Sequence, residues 1–280
     1  MVEDLQYENE EGTLVVSHRK ARSHHMPANH FHGSFEIFYL MSGKREFFIQ
    51  DRTLTIAEGD IVIISPNVLH RTTNADIPEY ERLVVNVHER VMASANRAYR
   101  DMLRPLFEKE YRIVRCSLQD RLAIEELARG IIRELKERKP GFEMYVQASV
   151  LQLSIACCRQ LNPDDPEPLL ASPSPMHERM SEVARYINQH YASDLSLHRL
   201  AERFYVSPYY LSRFFKEATG FTFVEYLNSV RIKEAKKLLE SSNLKVGLIA
   251  KKAGFGSVTH FGRVFKAVTG HAPLYYRKGK

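Results

Sequence analysis

Between residues 12 and 88 apolar positions come in short bursts rather than long stripes. TLVVSHR, EIFYLM, REFFIQ, TLTI, DIVIIS and ERLVVNV are rich in β-branched and aromatic residues, and Gly, Asp and Asn separate them. Such residues suit a pleated, half-buried surface. The pattern predicts six or more short strands in an antiparallel β-barrel or jelly roll over about 10–88. From about residue 89 the period lengthens. In DRLAIEELARGIIRELKER, Leu122, Leu127, Ile131 and Leu135 recur at roughly helical spacing. KPG breaks the pattern and FEMYVQASVLQLSIACCRQL resumes it, which predicts a helical hairpin within 89–161. Its apolar stripe can pack on the barrel or pair with a second subunit. NPDDPEPLLASPSP, residues 162–175, holds five of the twelve prolines. Proline lacks an amide donor and restricts its neighbour, so this stretch reads as an extended linker. From 176 to 280 the pattern is helical throughout.

That last segment repeats itself. SPYYLSRFFKEATG (207–220) aligns with SVTHFGRVFKAVTG (257–270), and LAERFYV (200–206) aligns with IAKKAGF (249–255). Self-similarity at this period means two copies of one supersecondary unit. In the first copy a helix starts near Ser196 and runs to about Phe204, with Leu200 and Ala201 facing inward. After the turn at Tyr205-Val206, Ser207 caps a second helix and Pro208 takes its first position, where a missing amide costs nothing. Leu211, Phe214, Phe215 and Ala218 make its buried face, and Tyr209, Ser212, Arg213 and Lys216 lie opposite. The second copy places Gly254 at the turn, Ser257 at the cap, and Val258, Thr259, Gly262, Arg263 and Lys266 on the outer face. Between the copies Thr222 and Glu225 form a capping box for a helix of about 17 residues, about 25 Å long. Helix, tight turn and capped helix with a basic outer face is a helix-turn-helix, whose second helix enters a DNA major groove. The rod between the copies can hold two such helices about one DNA turn apart.

Charge agrees with that reading. Residues 176–280 carry 18 Lys and Arg against 8 Asp and Glu, whereas residues 1–175 carry 22 against 26. A basic third behind an acidic portion points to a polyanion partner. No apolar run approaches the ~20 residues that span a bilayer, and the acidic start MVEDLQYENEEG lacks the apolar core of a signal peptide. The expectation is a cytoplasmic protein without a membrane partner. Three cysteines, Cys116, Cys157 and Cys158, are read as small buried hydrophobes, not as a disulfide framework.

Residues 180–278 resemble the DNA-binding domain of the AraC/XylS family of bacterial transcription regulators. The resemblance is carried by Ile249-Ala250, Gly254-Phe255, Phe261, Arg263, Phe265-Lys266, Gly270, Pro273 and Tyr276-Arg277. His260 stands where a tyrosine is usual, and Gly262 where a serine is usual. The glycine removes one contact, so base reading by the second helix is expected to be weaker than by the first. Membership implies two helix-turn-helix units joined by a long helix. It also implies binding in two successive major grooves, usually for activation with RNA polymerase as partner.

One earlier stretch carries different chemistry. HFHGSFEIFYLMSG (30–43) resembles the first motif of the cupin superfamily, with His30, His32, Glu36 and Gly43. GDIVIISPNVLHRTTN (59–74) resembles the second, with Gly59, Pro66, His70 and Asn74. Asn67 replaces a usual glycine, and the glycine expected before the first motif is absent. Carried across, the metal ligands of a cupin would be His30, His32, Glu36 and His70, a set that suits Zn, Fe, Ni or Mn. His30 and His32 have strand parity, and Glu36 shares it, so all three can face inward. His24 and His25 read as loop residues. In sugar-sensing regulators of this type the same positions serve as pocket wall. Effector-binding candidates are therefore His30, His32, Glu36, Tyr39, Arg45 and His70. The expected whole is a cupin-like effector-binding and dimerisation domain over 1–161, the linker 162–175, and an all-α double helix-turn-helix domain over 176–280. The expected function is a homodimeric, non-enzymatic activator that binds double-stranded DNA and responds to a small molecule, a sugar or derivative. The alternative is a metal-dependent cupin enzyme or metal sensor fused to a DNA-binding domain, with stoichiometric metal and turnover as its marks.

Overall fold

A computed structural model describes residues 2–22, 32–88, 90–91, 97–161 and 174–277. His24, His25 and His30 lie outside the described residues, as do 162–173 of the proline-rich stretch. Ser174 and Pro175, read as the end of the linker, already cap and begin a helix, because the Ser174 hydroxyl accepts from the His177 amide.

Eight strands are described: β1 (Glu3–Glu8), β2 (Leu14–Ala21), β3 (Ser34–Ile49), β4 (Arg52–Ala57), β5 (Ile61–Ile64), β6 (His70–Asn74), β7 (Tyr80–His88) and β8 (Tyr111–Val114). All their pairings are antiparallel. One sheet has the order β1-β2-β7-β3-β5-β8, and β4 and β6 flank the far half of β3. EIFYLM and REFFIQ, expected as two strands, are one strand of 16 residues. The glycine between them does not end it. Gly43 sits at φ +89°, and a Cβ there would collide with the backbone carbonyl of Glu79, so glycine keeps β7 close. The pairing shifts register between Leu40 and Ser42, which exchanges the faces of the strand. Before the shift Phe38 and Leu40 point into the barrel. After it Phe47 and Ile49 do, beside Ile56, Val62, Ile64, Val68, Tyr80 and Val84.

The opposite face of the larger sheet is covered by α1 (Arg97–Phe107), α2 (Leu118–Glu137) and α3 (Phe142–Arg159). Ile37, Tyr39, Met41, Ile61, Ile63, Leu83 and Val85 meet Ile124, Ala128, Ile131 and Leu135 of α2 and Val146, Val150 and Leu153 of α3. The hairpin exists as expected, but its buried stripe is rotated. Leu122 is 61% exposed and Leu127 only half-buried, and Ile124 and Ala128 take the inward positions. Both sets satisfy a period of 3.6, and only packing on the sheet chooses between them. The three cysteines are free; Cys157 is buried as expected, whereas Cys116 and Cys158 are only half-buried.

The rest is helical: α4 (Pro175–His190), α5 (Leu197–Arg203), α6 (Pro208–Thr219), α7 (Phe223–Ser241), α8 (Val246–Lys252), α9 (Val258–Thr269) and a final 3-10 turn (Pro273–Tyr276). Two cores divide it. Met180, Ala184, Leu200, Ala201, Leu211, Phe215 and Tyr226 form the first, and Ile232, Leu239, Ile249, Ala250, Phe261 and Phe265 form the second. α7 contributes to both, so it is the rod that joins them. Its capping box is formed: Thr222 Oγ1 accepts from the Glu225 amide, and the Glu225 carboxylate accepts from the Thr222 amide. Nineteen residues make it about 28 Å long.

Candidate functional site

The two recognition-type helices come out alike. Ser207 accepts from the Tyr210 amide and caps α6, and Ser257 accepts from the His260 amide and caps α9. On α6 Tyr209, Ser212, Arg213 and Lys216 are exposed, while Leu211, Phe215 and Ala218 are buried. On α9 Val258, Thr259, Arg263 and Lys266 are exposed over buried Phe261 and Phe265. Arg213 spreads over the Phe214 ring, 5.3 Å from its centroid. An Arg263 guanidinium nitrogen lies 3.2 Å from His260 Nδ1, so the histidine in the tyrosine's place orients that arginine. The nine side chains expected to meet DNA therefore occupy the outer surface of the two units, with Ser207 as cap on one.

Inside the barrel the cupin-like residues converge. His32 precedes β3, Glu36 lies on it, and His70 opens β6, where it faces Ile49 of β3. One ligand atom from each of His32, Glu36 and His70 lies within 4.8 Å of the others. His32 Nε2 is 3.1 Å from Glu36 Oε2 and His70 Nε2 is 3.7 Å from the same oxygen. The two imidazoles meet edge to face with centroids 5.3 Å apart. Each Nδ1 donates to a backbone carbonyl, that of Ser34 (2.9 Å) for His32 and that of Val68 (2.8 Å) for His70. This second hydrogen bond turns both Nε2 atoms toward the carboxylate, as in histidines that ligate metal. Burial pushes the Glu36 carboxyl up, but the His70 charge and hydrogen bonds from His32 and His70 outweigh it and hold the group well below the usual carboxylate range. Burial pushes His70 down, and the Glu36 charge with hydrogen bonds to Glu36 and Val68 reverses this and raises it. The three groups thus form one electrostatic unit with negative charge at its centre, suited to a cation or a polar ligand atom. Of the four expected ligands, three are brought together, and His30 lies outside the described residues.

Tyr39 is not part of this cluster. It is one position out of phase with Glu36 and Phe38, so its ring turns to the other face of the sheet and packs under the helical hairpin. Arg45 does face inward, because the register shift restores it to that side. It donates to Asn74 Oδ1 (2.6 Å) and lies over the Tyr80 ring, four residues along β3 from the position opposite His70. Burial pushes its guanidinium pKa down to about 10.

Two residues missed in the sequence tie the barrel cluster to the helices. Asn67 adopts φ 63° in the turn between β5 and β6. Its amide donates to the His32 carbonyl (2.8 Å), and its Oδ1 accepts from Lys236 Nζ on α7 (2.7 Å). Next to His70, Arg71 points out of the barrel and donates to the carbonyl of Gly220, the C-cap of α6.

A family model described as an AraC-like ligand binding domain matches residues 11–154, and one described as a helix-turn-helix domain matches residues 200–279. An uncharacterised HTH-type transcriptional regulator, YisR of Bacillus subtilis, is 25% identical over 87% of this chain and 85% of its own length. The HTH-type transcriptional activator RhaS of Escherichia fergusonii is 26% identical over 86% of this chain and 79% of its own. Among solved structures, ToxT of Vibrio cholerae covers 97% of this chain and 100% of its own at 16% identity, with a TM-score of 0.38.

Proposed function

Because the chain belongs to the AraC family of DNA-binding transcription regulators, we propose that it is a cytoplasmic activator whose hold on its operator is set by a small molecule in the barrel. The observation that carries this is the pair of capped helices with matching exposed faces, Arg213 and Lys216 on one and Arg263 and Lys266 on the other. Ser207, Tyr209, Ser212, Arg213 and Lys216 face one major groove, and Val258, Thr259, Arg263 and Lys266 the next. Lysine and arginine contacts to phosphate supply affinity, and outer-face side chains read base edges. Arg213→Ala is expected to weaken specific binding by about 1–3 kcal/mol and to leave random DNA unaffected. Fluorescence anisotropy on both DNAs checks it, and equal losses would make Arg213 a phosphate contact. Transcription in vitro with RNA polymerase tests activation: a rise in transcript on adding the protein is expected, and a fall would make it a repressor.

In the barrel the effector meets His32, Glu36 and His70. A hydroxyl-bearing ligand such as a sugar can hydrogen-bond to all three, with Arg45 further along the same face. A second reading is favoured by one observation, the approach of three ligand atoms to within 4.8 Å with Glu36 and His70 almost fully buried. That spacing matches a divalent ion such as Zn, held by two imidazoles and a carboxylate. Elemental analysis of untagged protein and His70→Ala separates the two. One ion per chain, lost in the variant, establishes the metal; none from metal-supplemented medium leaves the cluster as pocket wall.

A further inference from the structure

The two recognition helices share their cap, their arginine and their lysine, but not the residues between. With Ser207 aligned on Ser257, Pro208, Tyr209 and Ser212 of α6 stand where α9 has Val258, Thr259 and Gly262. The first set offers two hydroxyls. The second offers an isopropyl group, one hydroxyl with a methyl beside it, and a gap. Val258 is 52% exposed although it is apolar. Gly262 is the harder residue to account for. It lies inside α9, where glycine is destabilising relative to alanine. Its φ is not positive, and a Cβ there would meet no atom of the described residues within 4 Å, so neither backbone shape nor packing requires glycine. Helical spacing sets it one turn above Val258 and Thr259 and one turn below Lys266, with Arg263 next to it. Arg263 and Lys266 are both exposed. A bare stretch of helix backbone with cations beside it suits the close approach of a polyanion.

We propose that α9 selects a thymine, seating its C5 methyl in the notch over Gly262 between Val258 and Thr259. This rests on the reading that α9 enters a major groove, and it adds which base is selected there. Residues at the N-terminal end of a recognition helix are the ones that reach base edges, and 258, 259 and 262 lie in that part of α9. The thymine methyl is the only methyl group among the four base edges of the major groove. The other edges present carbonyl oxygens, ring nitrogens and amino groups. Against Val258 and bare backbone those polar groups lose water and gain no partner, whereas a methyl leaves water favourably. The missing side chain at 262 lets the helix come near enough for that contact. Tyr209 and Ser212 keep hydroxyls on α6 for hydrogen bonds, so the two half-sites are read by different chemistry.

The test starts from DNA that the full-length protein selects out of a random duplex pool. Each thymine of the selected site is replaced in turn by deoxyuridine, which pairs alike but lacks the methyl, and affinity is read by fluorescence anisotropy. At one thymine the wild type is expected to lose about three- to ten-fold. In Val258→Ser that loss should shrink below about two-fold. In Arg213→Ala, which weakens binding to both DNAs, it should persist. Gly262→Ala fills the notch. It should raise the urea midpoint, because alanine suits a helix better, and yet weaken binding to the thymine DNA about ten-fold. Its loss should be smaller on the deoxyuridine DNA, where no methyl competes for the space. Binding that falls while stability rises excludes misfolding as the cause. No thymine sensitive to its methyl, full sensitivity in Val258→Ser, or wild-type binding by Gly262→Ala would each overturn the proposal and leave specific DNA binding standing. A pool that yields no enriched sequence would overturn both.

Discussion

Asn67 shows how much one residue can carry. Its position favours a left-handed backbone, which glycine adopts freely and asparagine tolerates. Glycine would keep the amide bond to His32 but has no oxygen for Lys236. The asparagine therefore adds an inter-domain hydrogen bond at a turn that needs only a backbone shape. Asn67→Gly is expected to leave the barrel cluster intact while removing the shortest contact of the Lys236 ammonium, which keeps Glu240 at 3.7 Å, a loss of about 1.5 kcal/mol. Urea unfolding checks the stability. Elemental analysis checks the cluster, because His32 keeps its own Ser34 contact. An unchanged midpoint would mean that Lys236 finds another acceptor. The sequence displays Asn67 as a departure from the motif, but its partner is 169 residues away, and no local pattern reports such a pairing. Gly254 is the opposite case. Its turn is visible in the repeat, and it sits at φ +85° with the backbone of Tyr191 and Ala192 where a Cβ would go. Tyr205, its counterpart, takes φ 53° and exposes its ring to solvent.

At the scale of elements, the helices were legible where a local signal marks their ends. Ser207, Ser257 and the Thr222–Glu225 box lie where helices begin, because capping is chemistry between residues three apart. Faces were harder to read. Residue type alone puts Tyr39 and Arg45 in one site, but strand parity turns Tyr39 away from Glu36, and the register shift that brings Arg45 back to the inner face has no signature in composition. The rotated stripe of α2 has the same origin, since the sheet beneath decides which apolar residues are inward. The rotation leaves Leu118, Leu122 and Met144 exposed on the hairpin, at 74%, 61% and 76%. A second hairpin from another copy would cover them, and we propose that the homodimer expected from the sequence forms on this face. Leu122→Glu is expected to shift the protein from dimer to monomer in sedimentation velocity while its melting temperature stays close to that of the wild type. A persistent dimer would place the interface elsewhere.

Across the whole molecule the two helix-turn-helix units are held by the barrel in unequal ways. Phe48 and Leu69 of the barrel belong to the apolar core of the first unit, where Phe48 meets Phe221 and Tyr226 at centroid distances of 6.0 and 5.8 Å. Thr53 donates to the Ala218 carbonyl (2.7 Å), Tyr226 donates to the Gln50 carbonyl, Arg71 reaches Gly220, and Arg185 pairs with Asp51. The second unit's rod meets the barrel through polar pairs, Lys236 with Asn67 and Lys233 with Glu110 at 3.3 Å. The first unit therefore moves with the barrel, and the second is the freer partner. On β6 alternate residues point to opposite faces, so His70 enters the barrel cluster while Arg71 holds the end of α6. A ligand that draws His70 toward Glu36 shifts the strand that carries Arg71, and both recognition helices must sit about 34 Å apart to meet successive grooves. Coupling then requires the docked interface, not merely its presence on one chain. Thr53→Val with Tyr226→Phe removes two of its hydrogen bonds, each worth about 1 kcal/mol, together with the contact of the Tyr226 hydroxyl to Asn188 inside the first unit, and opens no cavity. The double variant is expected to bind operator DNA but to lose most of the change in affinity caused by the barrel's occupant. The measurement is anisotropy with and without that occupant, zinc being the first to try. A response equal to that of the wild type would show that the signal bypasses this interface.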